Sequence, residues 1–397
     1  MRDLRSSLVP PRLRLQEAGE REVERHATWT ELFFDLVFVV CVAQLATGLH
    51  DRPSLAGAAS FAGLFVPVWW TWTTYAYVAD LFDADDAAFR AVLLGAMFLV
   101  AAQAATIPAA FDGRTAGFAV AYAVLRVDLL LVYAWAWRSD RALRSLTGTH
   151  FVGFTVGLVV WLGALAVSGP ARYTLWALSI AIDLATGLVA YLPREDIPRH
   201  SSHMPERFGL FVLIVLGESV IAVSVGTANA HWAFESVATA ALGFVLAAAL
   251  WWMYFARFDE EVFNWALAGG DEERRRSFVF GYVHLPMMAA LAAVGVGVKL
   301  AIEQAIARGE HPHTAAVLGV ALAGYLISVT LIQRAAPRGL ERSAVAGRCA
   351  LAAGAALLAA LGGHVGVLVV VGLPAVALCG QAALETVVAG RGVVPAP

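Results

Sequence analysis

Charge is what this chain has least of. Asp, Glu, Lys and Arg make up only 15% of its 397 residues, against about 25% in soluble globular domains, which excludes a soluble fold wrapped in a charged shell. Cysteine is scarce too. Cys41, Cys349 and Cys379 are odd in number and show no CxxC spacing; this excludes a disulfide framework or thiolate metal site and leaves them as small apolar packing residues. There is no Walker A segment, no glycine-rich dinucleotide fingerprint and no soluble domain to house either, so the chain by itself is not read as an ATP-driven pump. Residues 1 to 28 carry charges but no apolar core, so we expect a disordered cytoplasmic arm, no cleavable signal peptide, and a first span acting as an uncleaved anchor.

What is present is apolar. Hydrophobic residues make up 59% of the chain and the mean hydropathy is +0.69. Stretches of about 20 apolar residues, the length that crosses a bilayer, recur from Thr30 onward. Twelve are expected: 30 to 48, 56 to 79, 91 to 110, 116 to 137, 150 to 168, 173 to 192, 207 to 228, 236 to 256, 277 to 300, 314 to 333, 345 to 362 and 364 to 388. Only Gly362, Gly363 and His364 separate the last two, so one broken segment is an alternative there.

The net charge of −3 is uninformative, but the placement of the cations is not. With the N-terminus inside, twenty-two Lys and Arg fall on the cytoplasmic side, five fall opposite, and Arg126 lies within a span. Cytoplasmic loops carry the excess of Lys and Arg, which predicts an even helix count with both termini in the cytoplasm.

The pattern also repeats. ELFFDLV at 31 to 37 shares Glu, Phe and Val with ERFGLFV at 206 to 212; FDADD at 82 to 86 meets FDEEV at 258 to 262, each after a Trp pair, Trp69-Trp70 or Trp251-Trp252; RAVLLG at 90 to 95 meets RSFVFG at 276 to 281. Three ordered matches predict two six-helix repeats, residues 29 to 200 and 201 to 397, with the same orientation because six is even. Chance agreement in an apolar sequence is the competing explanation.

WTELFFDLVFV at 29 to 39, FDADD at 82 to 86 and HMPERFGLFVLIVLGES at 203 to 219 together resemble the bacterial low temperature requirement A family of polytopic membrane proteins. The resemblance runs from about residue 27 to the last spans and implies a cytoplasmic (inner) membrane location and a link to growth in the cold. It supplies no reaction. The family tends to carry a basic residue before the first Phe-Asp, where this chain has Leu81; Arg257 takes that place in the second half, so the resemblance makes an Arg-Asp contact plausible there. FFDLVFV at 33 to 39 is also similar, over seven residues, to the Phe-Ser-Asp signature opening the first helix of unconventional potassium channels of lysosomes and bacteria.

Charges inside the spans are the candidates for chemistry. Glu31 and Asp35 share one face of the first span; Glu31 is read either as a helix-start carboxylate, stabilised by the macrodipole, or as charge-bearing, and Asp35, a turn deeper, as a residue with a buried partner. Glu218 lies twelve residues beyond Glu206, about 18 Å along a helix and so near the bilayer midplane, where an ionisable group marks either a transport site or an ion pair between helices. Arg126 and Asp128 are two apart, point to different faces and should each pair with another helix, as should Asp183. His203, Glu206 and Arg207 belong to the same network at the head of the seventh span. Asp83, Asp85 and Asp86, echoed by Asp259 and Glu260, form acidic loop clusters that are either solvated or, in an enzyme, able to hold Mg²⁺ against a diphosphate. His200 with His203 and His311 with His313 lack a third ligand, so no metal site is assigned.

The reading is an all-α, multi-pass bacterial membrane protein that needs no cofactor, with enzyme activity left open but not favoured: a secondary transporter or cation or proton permeation protein working between the two repeats, with Asp35 and Glu218 carrying charge. Its partners are the bilayer and a small ion or molecule, not nucleic acid, and homo-oligomerisation is left open. The alternatives are a Mg-dependent membrane enzyme acting on a lipid or isoprenoid diphosphate, and a non-catalytic accessory protein.

Overall fold

A computed structural model describes residues 27–81, 87–139, 141, 144–191, 203–229, 233–258, 270–307, 313–336 and 339–391. Among them are twelve α-helices and no strand: α1 (Trp29–Asp51), α2 (Leu55–Leu81), α3 (Ala87–Phe111), α4 (Ala116–Ser139), α5 (Arg144–Gly163), α6 (Pro170–Tyr191), α7 (His203–Asn229), α8 (Phe234–Phe255), α9 (Asp271–Ala307), α10 (Thr314–Ala335), α11 (Arg342–Leu361) and α12 (Val367–Arg391). Eleven contain stretches long and apolar enough to cross a membrane. Large apolar side chains stand exposed along them, Phe98, Leu131, Val320 and Val376 included. In water such a surface would drive association; against lipid it is the low-energy arrangement, because a helix satisfies its own backbone hydrogen bonds and needs only apolar contact outside. The chain is a polytopic transmembrane protein.

Helix boundaries follow capping and backbone chemistry more closely than they follow hydropathy. The fifth helix begins at Arg144, ahead of the expected 150, and gives way to a 3-10 turn at Ala164–Ala166 before Gly169, whose φ of 63° turns the chain into Pro170. The last two spans are separate helices, parted by a 3-10 turn at Gly362–His364. α9 is the largest departure, 37 residues in place of the expected 277 to 300. Its apolar middle is continued by polar turns at both ends, with Glu272 and Glu273 in the first turn, where carboxylates suit the macrodipole. The expected N-terminal arm falls on residues that, up to 26, lie outside those described.

The chain divides into two compact units. The first holds α1 as far as Gln44, α2 from Gly63, α3 to α6, and the start of α7 as far as Arg207. Within it α3, α4, α5 and α6 pack in sequence. The α5–α6 contact depends on Gly157: a β-carbon there would collide with the Asp183 carboxylate, and the Gly157 carbonyl accepts a 2.8 Å bond from Ser179. Small residues that let backbones approach are how membrane helices gain packing energy without a hydrophobic driving force.

The second unit holds the end of α1, the start of α2, α7 from Phe208, α8, and the chain from Arg276. Here α10 packs on α11, and α12 packs on both α8 and α11. Gly319 lies so close to the backbone of Ala355 and Ala359 that any larger residue must push the two helices apart. Tyr325 of α10 donates to the Leu250 carbonyl of α8 at 2.7 Å.

Candidate functional site

The head of α1 is built by a capping box. Thr28 donates through its backbone N–H (2.7 Å) and hydroxyl (3.0 Å) to Glu31 Oε2, while the Glu31 N–H donates to Thr28 Oγ1 at 3.3 Å. This reciprocal arrangement satisfies helix-start donors that have no intrahelical partner. It gives Glu31 a defined local role at the helix start.

One turn deeper, Asp35 is sealed in the protein. Trp72 of α2 donates its indole N–H to Asp35 Oδ1 at 2.7 Å, and Arg207 of α7 grips both carboxylate oxygens, Nε to Oδ2 at 3.3 Å and Nη2 to Oδ1. The two side chains are each 1% exposed. The Arg207 guanidinium also lies 6.0 Å from the rings of Phe34 and Trp72, at the outer range of cation–π attraction. Aromatic walls and a two-point ion pair therefore join α1, α2 and the head of α7.

A second buried arginine sits on α4. Arg126 donates to the Tyr122 hydroxyl from Nε (2.8 Å) and Nη2 (2.7 Å), to Thr74 Oγ1 of α2 from Nη1 (3.2 Å), and pairs with Asp183 Oδ2 of α6 at 3.1 Å. The rings of Tyr122 and Phe154 stand 4.9 and 5.3 Å from its guanidinium carbon. Asp128, about 200° around α4 from Arg126 at 100° per residue, takes no part in this pair. It is half-buried and accepts a 2.6 Å bond from the Tyr75 hydroxyl of α2.

Asp35 and Arg207 are thus brought together, as are Arg126 and Asp183, whereas Asp128 stands apart with Tyr75. Glu206 is half-buried at the head of α7. His203 and Glu218 lie on α7, but their side chains are outside the described residues, as are Asp83, Asp85, Asp86, Asp259 and Glu260 altogether. Among the described residues no group of three or more His, Cys, Asp or Glu is placed to hold a metal. Cys41 packs internally, its thiol 3.7 Å from the Val100 carbonyl, but Cys349 and Cys379 are exposed on the surfaces of α11 and α12 instead of filling gaps.

The second unit contains a polar network that the sequence reading passed over. Arg348 of α11, fully buried, donates to both oxygens of Glu385 of α12 (2.8 and 2.7 Å) and to Gln333 of α10 (2.7 Å), and Gln333 donates to the Met253 carbonyl of α8. Gln381 also donates to Glu385, at 2.8 Å. Arg257 meets Glu385 and Glu341 at 3.4 and 3.3 Å, so among the described residues its partners are glutamates. The visible signal was Gln381 and Glu385, one helical turn apart inside an apolar span. Arg207 and Arg348, counted among the cations on the expected cytoplasmic side, are both buried ion-pair members.

Set against known proteins, the chain matches the family described as bacterial low temperature requirement A protein (LtrA) over residues 26–382. An uncharacterized protein of Rhizobium meliloti (strain 1021) is 28% identical to it over 337 residues, 83% of this chain and 82% of the relative. The match takes in the capped, charged head of α1, both buried arginine pairs of the first unit and Arg348, ending just short of Glu385, and the chain belongs to the LtrA family of bacterial membrane proteins.

Proposed function

We propose that this LtrA protein is a secondary transporter or ion-permeation protein that moves a small cation or proton across the bacterial cytoplasmic membrane. The observation that carries this reading is the set of charged groups buried or half-buried between the helices of one unit: Asp35 with Arg207, Arg126 with Asp183, and Asp128 with Tyr75. A charged side chain at the bilayer centre costs about 2.5 to 3.5 kcal/mol on insertion scales. Buried ion pairs can often be replaced by apolar residues of similar volume with no loss of stability, so a bundle needing only cohesion has a cheaper solution. In the transport reading the Asp35–Arg207 pair is the switch, closed when the guanidinium grips the carboxylate and open when α1 and α7 separate. Glu218, near the middle of α7, is a second candidate for carrying charge.

The test is ion flux in proteoliposomes against imposed gradients of H⁺, K⁺ and Na⁺. The wild type should dissipate at least one gradient faster than protein-free vesicles. The double variant Asp35→Asn/Arg207→Gln removes both charges together and so spares the fold an orphaned guanidinium; it should lose that flux at equal folded abundance, and Glu218→Gln should reduce it. Wild-type vesicles that leak no faster than empty ones under every gradient overturn the reading.

A further inference from the structure

We propose that Asp128 is a proton-exchange site, with the Tyr75 hydroxyl as its fixed hydrogen-bond partner. The proposal deepens the permeation reading on which it rests by naming the proton as the exchanged ion and α4 as the helix that carries it.

Most of the described carboxylates set within the helices have a cationic or ionisable partner. Asp35 has Arg207, Asp183 has Arg126, and Glu385 has Arg348. Near the end of α9, Glu303 meets His50 at 2.8 Å. An arginine does not deprotonate in a protein. Adding a proton to Asp35 or Asp183 would therefore leave a guanidinium without its counter-charge. Asp128 differs. Its hydrogen-bond partner is a neutral phenol, so either the lone negative charge or the neutral acid can occupy the site, and taking up a proton leaves no unpaired cation behind.

The geometry accommodates both forms without moving a helix. Tyr75 Oη lies 2.6 Å from Asp128 Oδ2 and 3.2 Å from the Leu125 carbonyl oxygen. With Asp128 ionised, the phenolic O–H donates to Oδ2. When a proton binds at Oδ2, the new carboxylic O–H donates to Tyr75 Oη, and the phenolic hydrogen rotates to the Leu125 carbonyl, which has a lone pair to spare. One proton is taken up, the site goes from one negative charge to none, and each hydrogen keeps an acceptor.

Depth in the span agrees with this role. Asp128 is the thirteenth residue of the 24-residue α4, close to its middle, and it is half-buried where Asp35 and Asp183 are sealed. The charged and titratable surroundings among the described residues include Arg126, whose charge also acts on Tyr75. α2 brings Tyr75; α4 itself carries Tyr122 and Arg126 on the other face, and Tyr133 farther along; α5 contributes His150, stacked on Tyr133 at 5.0 Å, and Arg144 in its first turn; α3 contributes Arg90, also in its first turn. Asp183 of α6 is engaged by Arg126.

Infrared difference spectroscopy of the protein in lipid bilayers, stepped through pH, tests this directly. The carbonyl stretch of a protonated carboxylic acid should appear reversibly in the wild type, vanish in Asp128→Asn, and persist in Asp183→Asn. In Tyr75→Phe, which keeps the carboxyl but removes its partner, the band should remain and move to higher frequency, as for an acid that has lost a hydrogen bond. A wild type with no titrating band, or a band that survives Asp128→Asn, overturns the assignment. If the band behaves as expected while wild-type vesicles pass no ion, the transport reading fails and the protonation site stands. If protons flow in the wild type and equally in Asp128→Asn, the site is not on the route, and the inference fails while the transport reading stands.

Discussion

Replacing Asp35 by Asn keeps the shape of the side chain and one carbonyl acceptor but removes the charge that Arg207 is paired with. Both side chains are 1% exposed, so water cannot take over the guanidinium, and removing one partner of such a pair costs about 3–5 kcal/mol. At 1.4 kcal/mol per tenfold, that is a loss of roughly a hundredfold to a few thousandfold in the folding equilibrium. Hydrogen bonding alone predicts far less, since side-chain hydrogen bonds between membrane helices average about 0.6 kcal/mol. The double-mutant cycle of Asp35→Asn, Arg207→Gln and both together separates the two accounts, because the coupling energy isolates the pair. Measured by equilibrium unfolding in detergent–lipid micelles, each single variant should be strongly destabilised and the double variant should recover most of the loss, giving a coupling above about 2 kcal/mol. A coupling near 0.6 kcal/mol, or a double variant no better than the singles, would refute the claim that charge pairing holds α1 to the head of α7.

Gly319→Val should force α10 from α11, because its branched side chain would enter the space held by the backbone of Ala355 and Ala359; overpacking of this kind costs about 1–3 kcal/mol, and a thermal midpoint equal to that of the wild type would count against the contact. Glu385→Gln should destabilise the second unit more than Glu341→Gln, since Glu385 accepts two bonds from a buried Arg348 while Glu341 meets only the half-buried Arg257; equal effects in the same unfolding assay would contradict this. In sealed cells, an impermeant maleimide should label cysteine placed at Arg114 from outside but not at Arg141 or Arg275, and the reverse pattern would invert the topology. In the native chain Cys41 should resist alkylation until the protein unfolds, whereas Cys349 and Cys379 should react with lipid-permeant reagents.

What could be read from the sequence was whatever one helix reveals about itself. Thr28-x-x-Glu31 is a local pattern, and so is the depth of Asp35 among phenylalanines. The identity of its partner is not local: Arg207 lies 172 residues away, and periodicity within one helix says nothing about which face of another it will meet. The ion pairs of Arg207 and Arg348 were hidden for a related reason. Each lies only a turn or two inside its helix, where a hydropathy window blends it with the preceding loop. Tyr75, Tyr122 and Tyr325 look like apolar filler in a span, because the value of a phenol depends on the carboxylate, guanidinium or carbonyl that packing brings to it. Helix ends were blurred wherever a polar turn continued an apolar core, as in α9.

The length of α9 sets a boundary of its own. Its 37 residues measure about 56 Å along the backbone at 1.5 Å per residue. A hydrocarbon core is about 30 Å thick, and even a tilt of 40°, the steep end of what membrane helices adopt, leaves an axial rise of about 43 Å. At least two turns must therefore stand clear of the acyl chains. The charged beginning of α9, with Glu272, Arg275 and Arg276, is a stretch suited to water, and spin labels stepped along it should lose accessibility to dissolved oxygen and gain it to an aqueous relaxant as they climb out of the lipid.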